Sequence, residues 1–248
     1  MNKFEGVPVD ADKHKLQLYN KLKKNHMKIL KNSGQLWNWP AATTLTQPTL
    51  SRILHLHFLY QKILHVPGNI LEFGVHYGTS SNILMNFRRI LEPNNSNRQF
   101  HLFDTFQGFK GTSSYDGDLA HDGDFWLPQD YQIFLQELIE TQNNLSHARK
   151  SPHMIWVGDA PEQFDAYLEK FPHHVIAMAI LDMDIFEPTR IILDKIASRM
   201  TRNSILVLDQ FNCDAFPGET LAMMEIFKLH KMKIQRTPFG LHAAYLEF

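Results

Sequence analysis

The chain has 248 residues and a mass of 28.9 kDa, enough for one large α/β domain with a deep core and short for two independent ones. Lys and Arg total 25 against 26 Asp and Glu, so no cation excess exists to neutralise a phosphate backbone, and nucleic acid is not expected as a partner. The single cysteine, Cys213, can form no internal disulfide, the N-terminal MNKFEGVPVDADKHK has no apolar signal core, and no run of about 18 apolar residues offers a membrane span; a cytoplasmic protein is expected.

The first 35 residues carry many lysines and a loose apolar spacing (Leu16, Leu18, Leu22, Met27, Leu30), which predicts a helical arm; residues 1–48 are read as an arm or cap and 49–248 as the main domain. After Pro40 and Pro48, Thr49 is expected to N-cap a helix carrying Ile53, Leu54, Leu56, Phe58, Leu59, Ile63 and Leu64, ending near Pro67 and Gly68. Strand and helix signals then alternate. Residues 69–73, 99–103, 154–157, 175–181 and 204–208 read as strands, with helices over 79–91, 130–143, 161–171, 188–200 and 217–229 between and after them. The runs at 175–181 and 204–208 are almost continuously apolar, as strands buried on both faces of a parallel sheet should be. Two strand-like tails, 233–237 and 241–246, joined through Phe239 and Gly240, complete the pattern. The expectation is a doubly wound α/β, Rossmann-like sheet, mostly parallel with an antiparallel C-terminal edge.

The first strand-to-helix turn reads ILEFGVHYGTSS over residues 70–81. Glycines there let the backbone approach a ligand at the side of the sheet where open α/β folds bind small molecules. The spacing is not the three-glycine fingerprint of dinucleotide binders, which disfavours a nicotinamide dehydrogenase. Asp104, about thirty residues on at the end of the next strand, is placed as an acidic residue would be to bind a ribose. A tight turn followed by a helix cap is the plainer alternative.

Asp182, Asp184 and Asp209 form a second constellation at the ends of two strands. Parallel neighbours bring such ends side by side, and two convergent carboxylates suit a hard cation such as Mg2+. Otherwise Asp182 and Asp184 merely cap the following helix and Asp209 bonds a backbone turn.

The strings ILEFGVHYGTSS (70–81), FDTFQGF (103–109), VGDAPEQF (157–164), LDMDIFEPTR (181–190), LVLDQF (206–211) and FPGETLAMMEIF (216–227) occur in the order and spacing of the motifs of the macrocin O-methyltransferase family, and over roughly residues 49–230 the chain resembles that family. The resemblance implies a seven-stranded class I methyltransferase fold and an O-methyltransferase dependent on S-adenosylmethionine (SAM). It implies that Glu72 and Gly74 line the methionine part of the cofactor, with Gly78, Thr79 and Ser80 in the same turn, that Asp104 and Thr105 serve the ribose, and that Gly158, Asp159 and Ala160 border the adenine; Asp182 is also placed at the cofactor. It further implies Asp182, Asp209 and Gln210 as Mg2+ ligands and Asp184, with Asp182, as the catalytic pair, Asp184 being the base. The family normally has Asp-Asp where this chain has Asp209-Gln210, so one anionic ligand is replaced by a neutral carboxamide and the cation should bind less tightly.

The acidic, glycine-rich segment 108–125 does not match the spacing of a calcium loop; the resemblance makes it, within about 106–127, a mobile lid over the acceptor, against the plainer reading of a solvated surface loop. None of the 14 histidines shows zinc spacing. The acceptor is expected to be a sugar hydroxyl of a nucleotide-sugar, glycan or glycosylated natural product, and a homo-oligomer is plausible for an arm-bearing chain. The rivals are a methyltransferase of a phenol or amine and a SAM-binding protein without chemistry of its own; turnover on a sugar separates them.

Overall fold

The structure is a computed structural model in which residues 13–239 and 242–248 are described. The chain falls into two compact units, Met1–Arg52 and Ile53–Phe248. In the first, the expected arm is a helix, α1 (Lys13–Asn32), with no buried residue, followed by the short α2 (Asn38–Ala41). Helix α3 spans Gln47–Lys62, starting three residues earlier than a cap at Thr49 predicts. The hydroxyl of Thr46, not Thr49, takes the capping position, accepting the N–H of Thr49 at 3.4 Å. Pro48 lies in the first turn, where its missing N–H costs nothing, so the helix could extend back through it.

The second unit carries a seven-stranded sheet in the order β3-β2-β1-β4-β5-β7-β6. Its parallel strands are β1 (Asn69–Phe73), β2 (Phe100–Asp104), β3 (His153–Val157), β4 (Ile176–Leu181) and β5 (Met200–Leu208). The antiparallel edge is β6 (Ile234–Gln235) and β7 (Ala244–Glu247). Gly240 and Leu241, within the predicted tail hairpin, lie outside the described residues. The connecting helices are α4 (Thr79–Leu91), α5 (Tyr131–Leu145), α6 (Ala160–Lys170), α7 (Phe186–Ile196) and α8 (Gly218–Ile226).

Alternation along the strands divides the core into two halves. Ile70, Leu102, Met178 and Val207 face Leu59 and Ile63 of α3, Leu84 and Met85 of α4 and Leu135 and Ile139 of α5. Leu71, Phe73, Phe103, Leu181 and Leu208 face Phe164 and Tyr167 of α6, Ile192 and Leu193 of α7 and Ala222 and Met223 of α8. Every residue of β1 and β4 is buried, as a central strand covered on both sides requires. No helix among the described residues is long and apolar enough to cross a membrane.

One buried ionic group braces the end of the sheet away from the strand C-termini. Arg98, 3 % exposed, pairs with Glu92 at 2.7 Å and donates to the carbonyls of Ile63, Val66 and Gly68 at 3.0–3.1 Å, closing the turn that leads into β1.

Candidate active site

The carboxyl ends of the parallel strands finish level, with Phe73 opposite both Phe103 and Leu181, and Leu181 opposite Leu208. The ladder continues one residue further. Gly158 donates to Asp104 O at 3.0 Å, Gly74 to Phe103 O at 3.0 Å, Asp182 to Phe73 O at 2.8 Å and Asp209 to Leu181 O at 3.0 Å. These bonds set Gly158, Asp104, Gly74, Asp182 and Asp209 in one row across neighbouring strands, about 4.8 Å apart per step. The chain order reverses between β1 and β4, so the row contains the crevice where open α/β sheets bind ligands.

Glycine is obligatory at the centre of this row. Gly74 has φ 86°, and a Cβ there would fall 1.8 Å from Asp182 O, so the β1 and β4 ends approach only because no side chain intervenes. Gly78 starts α4 at φ 76°, followed by exposed Thr79 and buried Ser80. Glu72 is 2 % exposed and accepts the hydroxyl of Ser81. Asp104 accepts three backbone N–H groups: Val75 and His76 on Oδ2 at 2.6 and 2.7 Å, and Phe106 on Oδ1 at 2.6 Å. A carboxylate has about four acceptor positions, so Oδ1 keeps one for a ribose hydroxyl, and the residue fits a nucleoside while also clamping the two turns. Thr105 donates to Gly108 O at 3.0 Å and closes the start of the following loop. Asp159, half-buried, precedes Ala160 at the head of α6; burial raises its pKa, Glu162 adds to the rise and Lys110 opposes it.

Three acidic residues of the next two strand ends surround a fourth. Asp184 is 7 % exposed and adopts φ 61°, and Asp182 and Asp209 are partly exposed. Glu219, fully buried in the first turn of α8, accepts the N–H groups of Met183 at 3.2 Å and Asp184 at 3.1 Å on Oε1 and that of Gln210 at 2.9 Å on Oε2. Burial pushes the pKa of Glu219 well above the usual carboxylate range, and the charges of Asp184, Asp182 and Asp209 push it further. Glu219 thus ties the segments after β4 and β5 together. The sequence reading gave this residue no role, although an acidic side chain on the buried face of an otherwise apolar helix signals a bonding duty.

Among the described residues no group of three or more His, Cys, Asp or Glu is gathered closely enough to hold a metal ion. The chemistry of Asp182, Asp209 and Gln210 nonetheless suits Mg2+, which accepts carboxylate and carboxamide oxygens and retains water in its remaining positions.

The loop after β2 packs over the same end of the sheet. Its backbone is cross-linked by Phe109 N–H to Asp124 O at 2.9 Å and Gly123 N–H to Phe109 O at 2.8 Å. Two of its acidic side chains are engaged within it: Asp122 accepts from Thr112 N–H and Oγ at 2.8 Å, and Asp124 from His121 N–H at 3.0 Å. The rings of Phe109, Phe125 and Phe216 lie 5.0–6.4 Å apart, with His76 5.9 Å from Phe125. Asp116 leaves this network to accept the N–H of Phe186, the first residue of α7, at 2.5 Å.

The model of the macrocin O-methyltransferase (TylF) family matches residues 7–236. The chain belongs to this family. As a member it is a SAM-dependent O-methyltransferase. The calicheamicin methyltransferase CalS11 is 28 % identical, with a TM-score of 0.87 over 100 % of this chain and 99 % of that one. An apo structure of CalS11, described as a TDP-rhamnose 3'-O-methyltransferase of calicheamicin biosynthesis, gives 26 % identity and a TM-score of 0.82 over 97 % and 96 % of the two chains. The O-methyltransferase NovP shares the fold at 16 % identity, with a TM-score of 0.56 over 80 % of this chain and 79 % of that one. No curated protein matches significantly.

Proposed function

We propose that this family member methylates a sugar hydroxyl, on a nucleotide-sugar, glycan or glycosylated natural product, with Asp184 as the general base. The observation that carries the chemistry is the placement of Asp182, Asp184 and Asp209 on the strand ends next to Gly74. The sugar class is supported by end-to-end similarity to CalS11, described as acting on TDP-rhamnose.

In this reading Glu72, Gly74, Gly78, Thr79 and Ser80 border the methionine part of the cofactor, Asp104 and Thr105 the ribose, and Gly158, Asp159 and Ala160 the adenine. Asp182, Asp209 and Gln210 are the residues that would hold a Mg2+ ion. When bound, SAM would supply an electrophilic methyl group, and a cation held by Asp182, Asp209 and Gln210 would supply a positive charge that favours ionisation of the acceptor hydroxyl. Asp184 takes the proton from that hydroxyl, the oxygen forms a bond to the methyl carbon, and the carbon–sulfur bond breaks to leave S-adenosylhomocysteine. The protein's own contribution is alignment and proton removal, with the loop over residues 106–127 excluding water.

The test is calorimetric titration with S-adenosylhomocysteine, with and without Mg2+, followed by methyl transfer from SAM to nucleotide-linked deoxysugars. Micromolar binding and turnover on a sugar, lost in EDTA and restored by Mg2+, is the expected result. Turnover on phenols or amines alone would overturn the sugar assignment, full activity in EDTA the metal, and binding without turnover on any acceptor the catalytic reading.

A further inference from the structure

Asp184 holds a left-handed backbone conformation, φ 61°, which aspartate tolerates better than most side chains and which hydrogen bonds on either side of it fix in place. On one side the enforcement comes from Glu219, which accepts the N–H of Asp184 at 3.1 Å. On the other it comes from 70 residues away in the chain: Asp116 Oδ1 accepts the N–H of Phe186 at 2.5 Å.

That second bond replaces a missing local one. Ile185 at the N-cap of α7 offers its first turn no side-chain acceptor, and the buried N–H of Phe186, one of the four donors that a helix start leaves without an intrahelical partner, needs an acceptor from elsewhere. Asp116 is built for the task. It is 1 % exposed within a loop whose neighbouring Ser113, Ser114 and Tyr115 are exposed, and its Oδ2 is oriented by Ser113 N–H at 2.7 Å and Ser113 Oγ at 3.0 Å. Tyr115 stacks on Phe186 with ring centres 4.6 Å apart. The junction admits no extra atom: a Cβ on Gly218 would fall 2.5 Å from Asp116 Oδ1, 2.7 Å from Phe186 N and 2.9 Å from Asp184 O.

We propose that Asp116 is a positioning residue that couples docking of the 108–125 loop over the acceptor to the alignment of Asp184, by capping α7 across the chain. The coupling rests on the reading of Asp184 as the base. With the loop docked, the backbone around Asp184 is held from both sides; with the loop lifted, the Phe186 end of that segment loses the Asp116 bond while the Glu219 bond remains. Proton removal is thereby tied to a covered acceptor, which keeps water from the reactive sulfonium.

The test uses the full chain with S-adenosylhomocysteine bound, comparing the unmodified protein with Asp116→Ala, Asp116→Asn and Gly218→Ala by hydrogen exchange, and the Asp116 variants also by steady-state kinetics. In Asp116→Ala, exchange should rise about tenfold over residues 109–124 and 184–187 together while β4 stays protected, because local opening involves only the elements joined by the bond. Its kcat should fall at least tenfold with S-adenosylhomocysteine affinity within about threefold. Asn keeps one oxygen for the Phe186 N–H, so Asp116→Asn should recover most of the protection and turnover. Gly218→Ala should reproduce the exchange pattern without altering either bonding partner. Faster exchange in only one of the two segments, loosening of β4 with them, or undiminished turnover in Asp116→Ala would overturn the coupling. Failure of the unmodified protein to bind S-adenosylhomocysteine would instead overturn the assignment of the site, while the exchange comparison without ligand would still decide whether the two segments open together.

Discussion

The sharpest prediction concerns Asp184→Asn. Because the residue sits at φ 61°, asparagine is the replacement that keeps the backbone, since it tolerates the left-handed region as aspartate does; alanine would add strain to the loss of charge. The substitution therefore isolates the carboxylate. A positioned general base contributes about 10²–10⁴-fold, so kcat should fall by that factor, equivalent to about 3–5 kcal/mol of transition-state stabilisation. Stability should hold or rise, because the negative charge removed is one that opposes ionisation of fully buried Glu219. The assay is release of S-adenosylhomocysteine under saturating SAM, with affinity read by calorimetry and stability by thermal melting. A kcat within tenfold of the parent, or an equal loss in turnover and cofactor affinity, would refute the base assignment; a large drop in melting temperature would refute the argument from charge.

Three further outcomes follow from the packing. Gly74→Ala places a Cβ against Asp182 O and imposes φ 86° on a residue with a side chain, so urea unfolding should show a loss of roughly 2–5 kcal/mol, with S-adenosylhomocysteine affinity weakened tenfold or more; unchanged affinity would detach Gly74 from the cofactor. Arg98→Met takes from Glu92 the cation it pairs with and from three carbonyls one donor each, so a loss of about 3–5 kcal/mol is expected, lowering the melting temperature by roughly 10 °C, and a change under 1 °C would contradict the role of this brace. Burial pushes the pKa of His101 down to about 3, with His174 and Lys170 acting in the same direction, and its ring accepts a bond from Trp156 at 3.2 Å. The folded form thus holds the ring neutral while the unfolded chain protonates near the ordinary value; this contribution is present above that value and is lost as pH falls towards 3, by about 1.4 kcal/mol per unit. Urea midpoints measured from pH 7.5 to 5 should fall, and His101→Phe should flatten the decline; equal slopes in both proteins would show that His101 is not the group responsible.

The parts of the fold that were legible in the sequence are those where burial dictates residue type. β1 and β4 lie at the centre of the sheet, and their apolar runs, interrupted in β1 by Glu72, located them to within a residue. The first half of β5 was not legible, because Thr201, Arg202 and Asn203 carry no apolar period and are drawn into the strand by its neighbours rather than by their own propensity. For the same reason the helix before it was extended to Met200, whereas α7 stops at Ile196 and a 3₁₀ turn intervenes. At the start of α3 the expected cap, Thr49, is itself a donor to Thr46, and only the hydrogen bond shows it.

The site divides along a similar line. Gly74, Asp104, Gly158, Asp182 and Asp209 could be placed together before any coordinates, because parallel strands deliver their carboxyl ends to one row and each of these residues immediately follows or ends an apolar run. Asp116 and Glu219 could not be placed, because their partners are backbone N–H groups 70 and 35 residues away, and a backbone donor leaves no mark on residue type. Asp116 also stood among other acidic residues in a glycine-rich stretch, where composition suggested a solvated loop; burial of one carboxylate out of that group sets it apart. The loop after β2 and the strand-end aspartates are therefore joined through hydrogen bonds to the start of α7 and α8. The carboxylates proposed to touch the acceptor follow from topology, whereas those that hold them in place follow from hydrogen bonds that only the folded chain reveals.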